Sequence, residues 1–67
     1  MQTPVIESPA SDGLARVREA QRFLALSRSA VYDLMDKGEL QYVKIGKARR
    51  IPWPALRELI EKNRISA

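Results

Sequence analysis

Two short apolar repeats separated by only three residues are the feature that most limits how this chain can fold. In the first, Ala20, Phe23 and Leu24 fall at i, i+3 and i+4, one stripe of a helix over about Val17 to Leu24. Arg18, Gln21 and Arg22 take the wet face, and the small Ala20 permits close approach of another helix. Ala25-Leu26-Ser27 then breaks the pattern, and three residues suffice only for a tight turn. Ser27 can cap a second helix, because its hydroxyl accepts from a backbone N–H two or three residues on. That helix is predicted over about Arg28 to Lys37, with Val31, Leu34 and Met35 inward and Ala30 beside them. Gly38 stands where a helix favours a left-handed residue, and Lys37 before it suits the negative end of the helix dipole.

The rest of the chain predicts a hairpin and a closing helix. Val43 and Ile45 alternate with Lys44, as in a half-buried strand. Gly46-Lys47-Ala48-Arg49 reads as the connection, and Arg50-Ile51 as a short return strand with Ile51 inward. Pro52 lacks a donor and ends the ladder. Pro54 suits the first turn of a third helix, in which Leu56, Leu59 and Ile60 repeat at i, i+3 and i+4 and which ends near Lys62 or Asn63. These three are expected to close the core over Phe23, Leu24, Val31 and Leu34, with Trp53 packed at the junction. A stacking role on nucleic acid is the alternative for Trp53. The fold class is therefore mainly α with a small β-hairpin. Residues 14–67 form the folded domain. Residues 1–13, punctuated by Pro4, Pro9 and Gly13, read as a flexible N-terminal tail.

Size and chemistry narrow the function. A chain of 67 residues has little room for a deep substrate cavity. It has neither cysteine nor histidine, so disulfides, thiolate zinc sites and imidazole ligands are excluded. No nucleophile-and-base pair can be assembled without histidine, and the three glycines are too dispersed for a phosphate-cradling loop. The expectation is no enzyme, no cofactor and no metal. No apolar run approaches the roughly 20 residues that span a bilayer, and no secretory signal is visible. A cytoplasmic protein without a membrane partner is the default. The net charge is +4, yet residues 1–13 carry only Glu7 and Asp12, so all twelve lysines and arginines lie beyond them against six acids. A compact body with that excess suits a polyanion, although a solvated basic surface has the same composition.

Two features point to double-stranded DNA. A helix-turn-helix places its second helix in the major groove, N-terminal residues nearest the bases. Here the outward face of that helix holds Arg28, Ser29, Tyr32, Asp33, Asp36 and Lys37. Arginine can reach guanine acceptors or a phosphate, serine either base type, and a tyrosine hydroxyl a phosphate. Ser27 and Ser29 flank Arg28 at a helix end that attracts anions, though Ser27 can also be a cap and nothing more. The hairpin adds Lys44, Lys47, Arg49 and Arg50, four cations in seven residues with no acid among them. Such a projection can enter the minor groove or clamp the backbone. An ordinary helical hairpin with a solvated basic loop is the competing reading.

The stretch VREAQRFLALSRSAVYDLMDKGELQYVKIGKARRIP, followed by an amphipathic helix, resembles the excisionase-type winged helix-turn-helix domain of the MerR-like group. The SRSAVYDLM helix, the GEL turn and the KIGKARRIP hairpin carry the resemblance. It implies a helix-turn-helix, a two-stranded wing and a closing helix. It also implies groove and phosphate contacts at Ser27, Arg28, Ser29 and Tyr32, and wing contacts at Lys47, Arg49 and Arg50. Members of this group either direct excision of a mobile element beside an integrase or act as small transcription regulators. A bacterial or phage origin and a place on the nucleoid follow from the same resemblance. Self-association on repeated sites is a further expectation, because one module covers few base pairs. A basic module that meets an acidic protein is the rival from another class. Three positions depart from the pattern. Arg16 stands where a capping Ser or Thr is usual, so the first helix is open to fraying. Ala25 replaces the usual turn glycine. Asp33 replaces a frequent basic residue, and could accept from a cytosine amino group or pair with Arg28 or Lys37.

Overall fold

A computed structural model describes residues 13–66, so the N-terminal tail expected over residues 1–13 lies, Gly13 apart, outside the described residues. The order is β1 (Leu14–Ala15), α1 (Val17–Leu24), α2 (Arg28–Asp36), β2 (Val43–Ile45), β3 (Ala48–Pro52) and α3 (Trp53–Lys62). This is a winged helix-turn-helix. The wing is larger than the two strands expected, because β1 joins it to give an antiparallel sheet in the order β1-β3-β2. Two residues carry no readable period, which is why β1 escapes a sequence reading. Its effect is to bury Ala15 opposite Ile51.

α1 begins without a serine or threonine cap. The Glu19 carboxylate accepts from the Arg16 backbone N–H at 2.8 Å, which is the half of a capping box that glutamate supplies. The expected fraying is thus countered from within the first turn. At its other end the Ala25 N–H donates to the Arg22 carbonyl at 3.3 Å and the Leu26 N–H to Gln21 at 3.0 Å. That pair of bonds is a Schellman cap, and it forces Ala25 to φ 57°, the left-handed region. α2 closes in the same way, Gly38 donating to Met35 at 3.1 Å and Glu39 to Leu34 at 2.9 Å, with Gly38 at φ 79°. It ends at Asp36, with Lys37 as the cap residue.

The core gathers Ala15, Val17, Ala20, Val31, Met35, Leu40, Ile51, Ala55, Leu56 and Leu59, all buried, and among the described residues it holds no polar or charged side chain. Leu24, Leu34 and Trp53 pack partly buried against it. Two expectations are corrected. Phe23 and Ile60 lie outside the core, because Val17–Ala20–Leu24 and Ala55–Leu56–Leu59 are the stripes that point inward and each of these two sits one step around the helix. Phe23 instead meets the half-buried Trp53 edge-on, ring centroids 5.6 Å apart and planes at 80°. The β2 strand is not half-buried: Val43, Lys44 and Ile45 are all exposed, Ile45 at 61%. Like β1 it is an edge strand of the sheet, and Leu40, ahead of it, takes the buried place.

The hairpin is tighter than predicted. Ile45 faces Ala48, so only Gly46 and Lys47 form the turn, and the return strand runs from Ala48 to Pro52. Gly46 at φ 63° takes the first central position, as a two-residue turn matched to strand twist requires. Pro52 is the last strand residue and then caps α3, with Pro54 in its first turn. Among the described residues no helix is long and apolar enough to cross a membrane.

Candidate nucleic-acid interface

The N-terminus of α2 is open to solvent. Ser27 accepts from the Ala30 N–H at 3.3 Å through its hydroxyl, and its carbonyl takes the Val31 N–H at 3.1 Å. The N–H groups of Arg28 and Ser29 precede the first intrahelical bond, so they face outward at the positive end of the dipole. The Ser29 hydroxyl lies 3.4 Å from that of Ser27. Ser27, Arg28, Ser29, Asp33, Asp36 and Lys37 are all exposed, and Tyr32 is half-buried.

Side chains along this edge are paired by helical spacing. Arg28 donates through Nη2 to the Tyr32 hydroxyl at 3.4 Å, and its guanidinium carbon stands 5.0 Å from the Tyr32 ring centre. One turn on, Lys37 Nζ lies 3.1 Å from Asp33 Oδ2. Of the two partners open to Asp33, the structure selects Lys37. The hydrogen bond to Asp33, its charge, and the charge of Glu39 hold the Lys37 ammonium above its ordinary 10.5.

The wing divides its cations by strand period. Side chains alternate across a sheet and register partners share a face, so Lys44, Arg49 and the inward Ile51 take one side, while Val43, Ile45, Ala48 and Arg50 take the other. The hairpin has no acid of its own, yet one of its four cations is paired from another element. Arg49 lies 3.3 Å from Asp36 Oδ1 on α2, 5.1 Å from the centre of the Tyr32 ring and 4.8 Å from that of Tyr42. Its side chain is only 27% exposed, against 61% for Lys37. Arg50, half-buried, donates to the Arg49 carbonyl at 2.9 Å. Lys44 and Lys47 are exposed and make no ion pair among the described residues, with Lys47 on the turn itself.

The residues singled out from sequence therefore fall into four groups. Arg28, Tyr32 and Arg49 meet in one cluster, Ser27 with Ser29 and Asp33 with Lys37 form local pairs beside it, and Lys44 lies on the wing face of Arg49 with Lys47 on the turn beyond. Arg50 stands apart on the opposite face. Tyr42 and Asp36 complete the cluster without having been chosen as site residues. The alternation Tyr42-Val43-Lys44 carried the signal for Tyr42, since it puts the ring on the face of Lys44. No spacing within one element could have paired Asp36 with a residue 13 positions on. Among the described residues no group of acidic side chains is placed to hold a metal ion.

Comparison with known proteins agrees with this architecture. A family model described as a helix-turn-helix domain matches residues 16–64. A protein from Saccharopolyspora erythraea described as "Probable excisionase" is 44% identical over 43 residues, which cover 64% of this chain and 44% of that protein. The chain thus spans less than half the length of that relative. No solved structure matches the chain significantly.

Proposed function

This chain belongs to the helix-turn-helix domain family, and from that premise we propose that it binds double-stranded DNA selectively, as an excisionase-like factor that works beside an integrase. α2 enters the major groove, with Arg28, Ser29, Tyr32 and Asp33 toward the bases and Ser27 and Lys37 toward the backbone. The wing follows the adjoining minor groove or phosphates through Lys44 and Lys47, with Arg50 at its flank.

The observation that carries this reading is the contact of Arg49 with both Tyr32 and Asp36, which sets the wing against the exposed edge of α2 so that both face one way. A duplex laid on that side meets a helix N-terminus and a basic ribbon together. One module of this kind covers about 600–1,000 Å² of protein surface, so several copies on repeated sites are needed for a long target. The similarity to a protein described as a probable excisionase favours the recombination role over transcription control.

The test has two arms. Selection of bound duplexes from a random pool should enrich one short motif, and the affinity for it should fall with salt at a log–log slope of about −4 to −5, for four to six phosphate contacts. Equal binding to all duplexes together with tight binding to an acidic protein would reject the proposal. Stimulation of excision by a cognate integrase, in an assay with and without this chain, is expected. Repression of a promoter with no effect on excision would replace the recombination role with a regulatory one.

A further inference from the structure

We propose that Arg49 is a positioning residue that fixes the wing against α2, and that it does not itself neutralise a phosphate. The inference deepens the DNA-binding reading and rests on it for its consequence, but its geometry belongs to the protein alone. The Arg49 guanidinium is near two aromatic rings, those of Tyr32 and Tyr42, at 5.1 and 4.8 Å, and it gives a hydrogen bond to Asp36 at 3.3 Å. Arg28 lies near Tyr32 too, at 5.0 Å. Arg28, Tyr32, Arg49 and Tyr42 thus form one chain of alternating cations and rings, which begins at the first residue of α2 and ends beside β2.

Three considerations assign Arg49 to holding rather than to binding. Its charge is already answered by Asp36, so a phosphate nearby would meet a neutral pair. Its side chain is less than one-third exposed, whereas Lys44 and Lys47 on the same hairpin are exposed and unpaired among the described residues. The outer strand of the wing is exposed at every residue, so apolar burial there does little to set its angle. A planar guanidinium can lie against rings and direct separate N–H groups at once, which an ammonium cannot. The cluster therefore sets the spacing between α2 and the wing, and through Tyr32 it also steadies Arg28.

The free protein gives the first test. Nuclear magnetic resonance of the unbound chain should show the Arg49 side-chain protons shifted upfield, with cross-relaxation to both tyrosine rings. Ordinary shifts and no ring contact would overturn the proposal without any variant being made. The second test is salt-dependent binding to the selected duplex. Arg49→Lys keeps the charge and loses the plane, and should weaken binding by about tenfold, two ring contacts and the placed hydrogen bond to Asp36 being forfeited. Arg49→Ala should weaken it at least as much, and neither variant should change the log–log slope. If Arg49→Lys binds like the parent while Arg49→Ala lowers the slope by about 1, Arg49 is a phosphate contact and the proposal fails. Failure of the parent chain to bind any duplex would instead remove the DNA-binding reading, with the ring contacts still deciding the role of Arg49.

Discussion

At the scale of single residues, the α2 edge carries two cations in different surroundings, and the proposed base reading falls to the one without an acid partner. Arg28 is exposed at the helix start and is steadied by Tyr32 rather than by an acid. No acid among the described residues pairs with it, so its charge stays available to a guanine. Arg28→Ala should therefore alter which sequence is preferred, at a cost of about 1–3 kcal/mol at the affected base pair, as measured by binding to single-base variants of the selected site. Unaltered preference would remove base reading from Arg28. Lys37 differs, since Asp33 holds it. Its raised pKa means the pairing is fully present below 10.5 and is lost as pH rises through the higher folded value. Both groups are more than half exposed, so the stability at stake is small. Following the Lys37 ammonium by resonance shifts should place its titration above 10.5, and Asp33→Asn should return it toward that value. The sequence made Arg28 and the Asp33–Lys37 spacing legible. It could not reveal Arg49 as paired, because Asp36 and both rings reach it only after the strands are in register.

At the scale of elements, the two turns provide an internal comparison. Both α1 and α2 end in a Schellman cap, one on Ala25 at φ 57° and the other on Gly38 at φ 79°. A left-handed conformation costs a residue with a Cβ about 1–2 kcal/mol, and glycine gives back about 0.4–1 kcal/mol through the freedom of its unfolded chain. Ala25→Gly should thus stabilise the domain by about 0.5–1 kcal/mol, read as a higher midpoint in urea. Gly38→Ala should destabilise it by about the same amount, and since a Cβ there meets nothing within 4 Å the whole effect is backbone strain. A lower midpoint for Ala25→Gly would show that the turn is not held in this conformation. The missing turn glycine was visible in the sequence, and so were all three helices, each within a residue of its observed bounds. The strands were less legible. β1 is too short to carry a period, and the alternation in β2 marks a strand without showing that all three of its residues stay exposed.

At the scale of the whole molecule, a core this small leaves little reserve. A domain under about 70–80 residues seldom holds more than 3–5 kcal/mol of stability without a staple, and the chain has no cysteine to supply one. Leu56 is fully buried at the centre of the core, so Leu56→Ala should cost about 2–5 kcal/mol and leave much of the population unfolded at 37 °C, as seen by circular dichroism. Ile60→Ala, on the 40%-exposed flank, should cost much less. Equal losses at the two would mean the third helix packs by another face. The economy of the core is tied to the proposed interface, because Val31 and Met35 anchor α2 from beneath while Arg28, Ser29, Asp33, Asp36 and Lys37 stay exposed.

The direct measurement of that shared face is a titration of isotope-labelled protein with its selected duplex, followed amide by amide. The expected result is that Ser27 to Asp33 and Lys44 to Lys47 shift together and saturate at one duplex equivalent, while α3 stays still. Shifts confined to only one of those two segments, or centred on α3, would contradict the claim that helix and wing grip the same stretch of DNA.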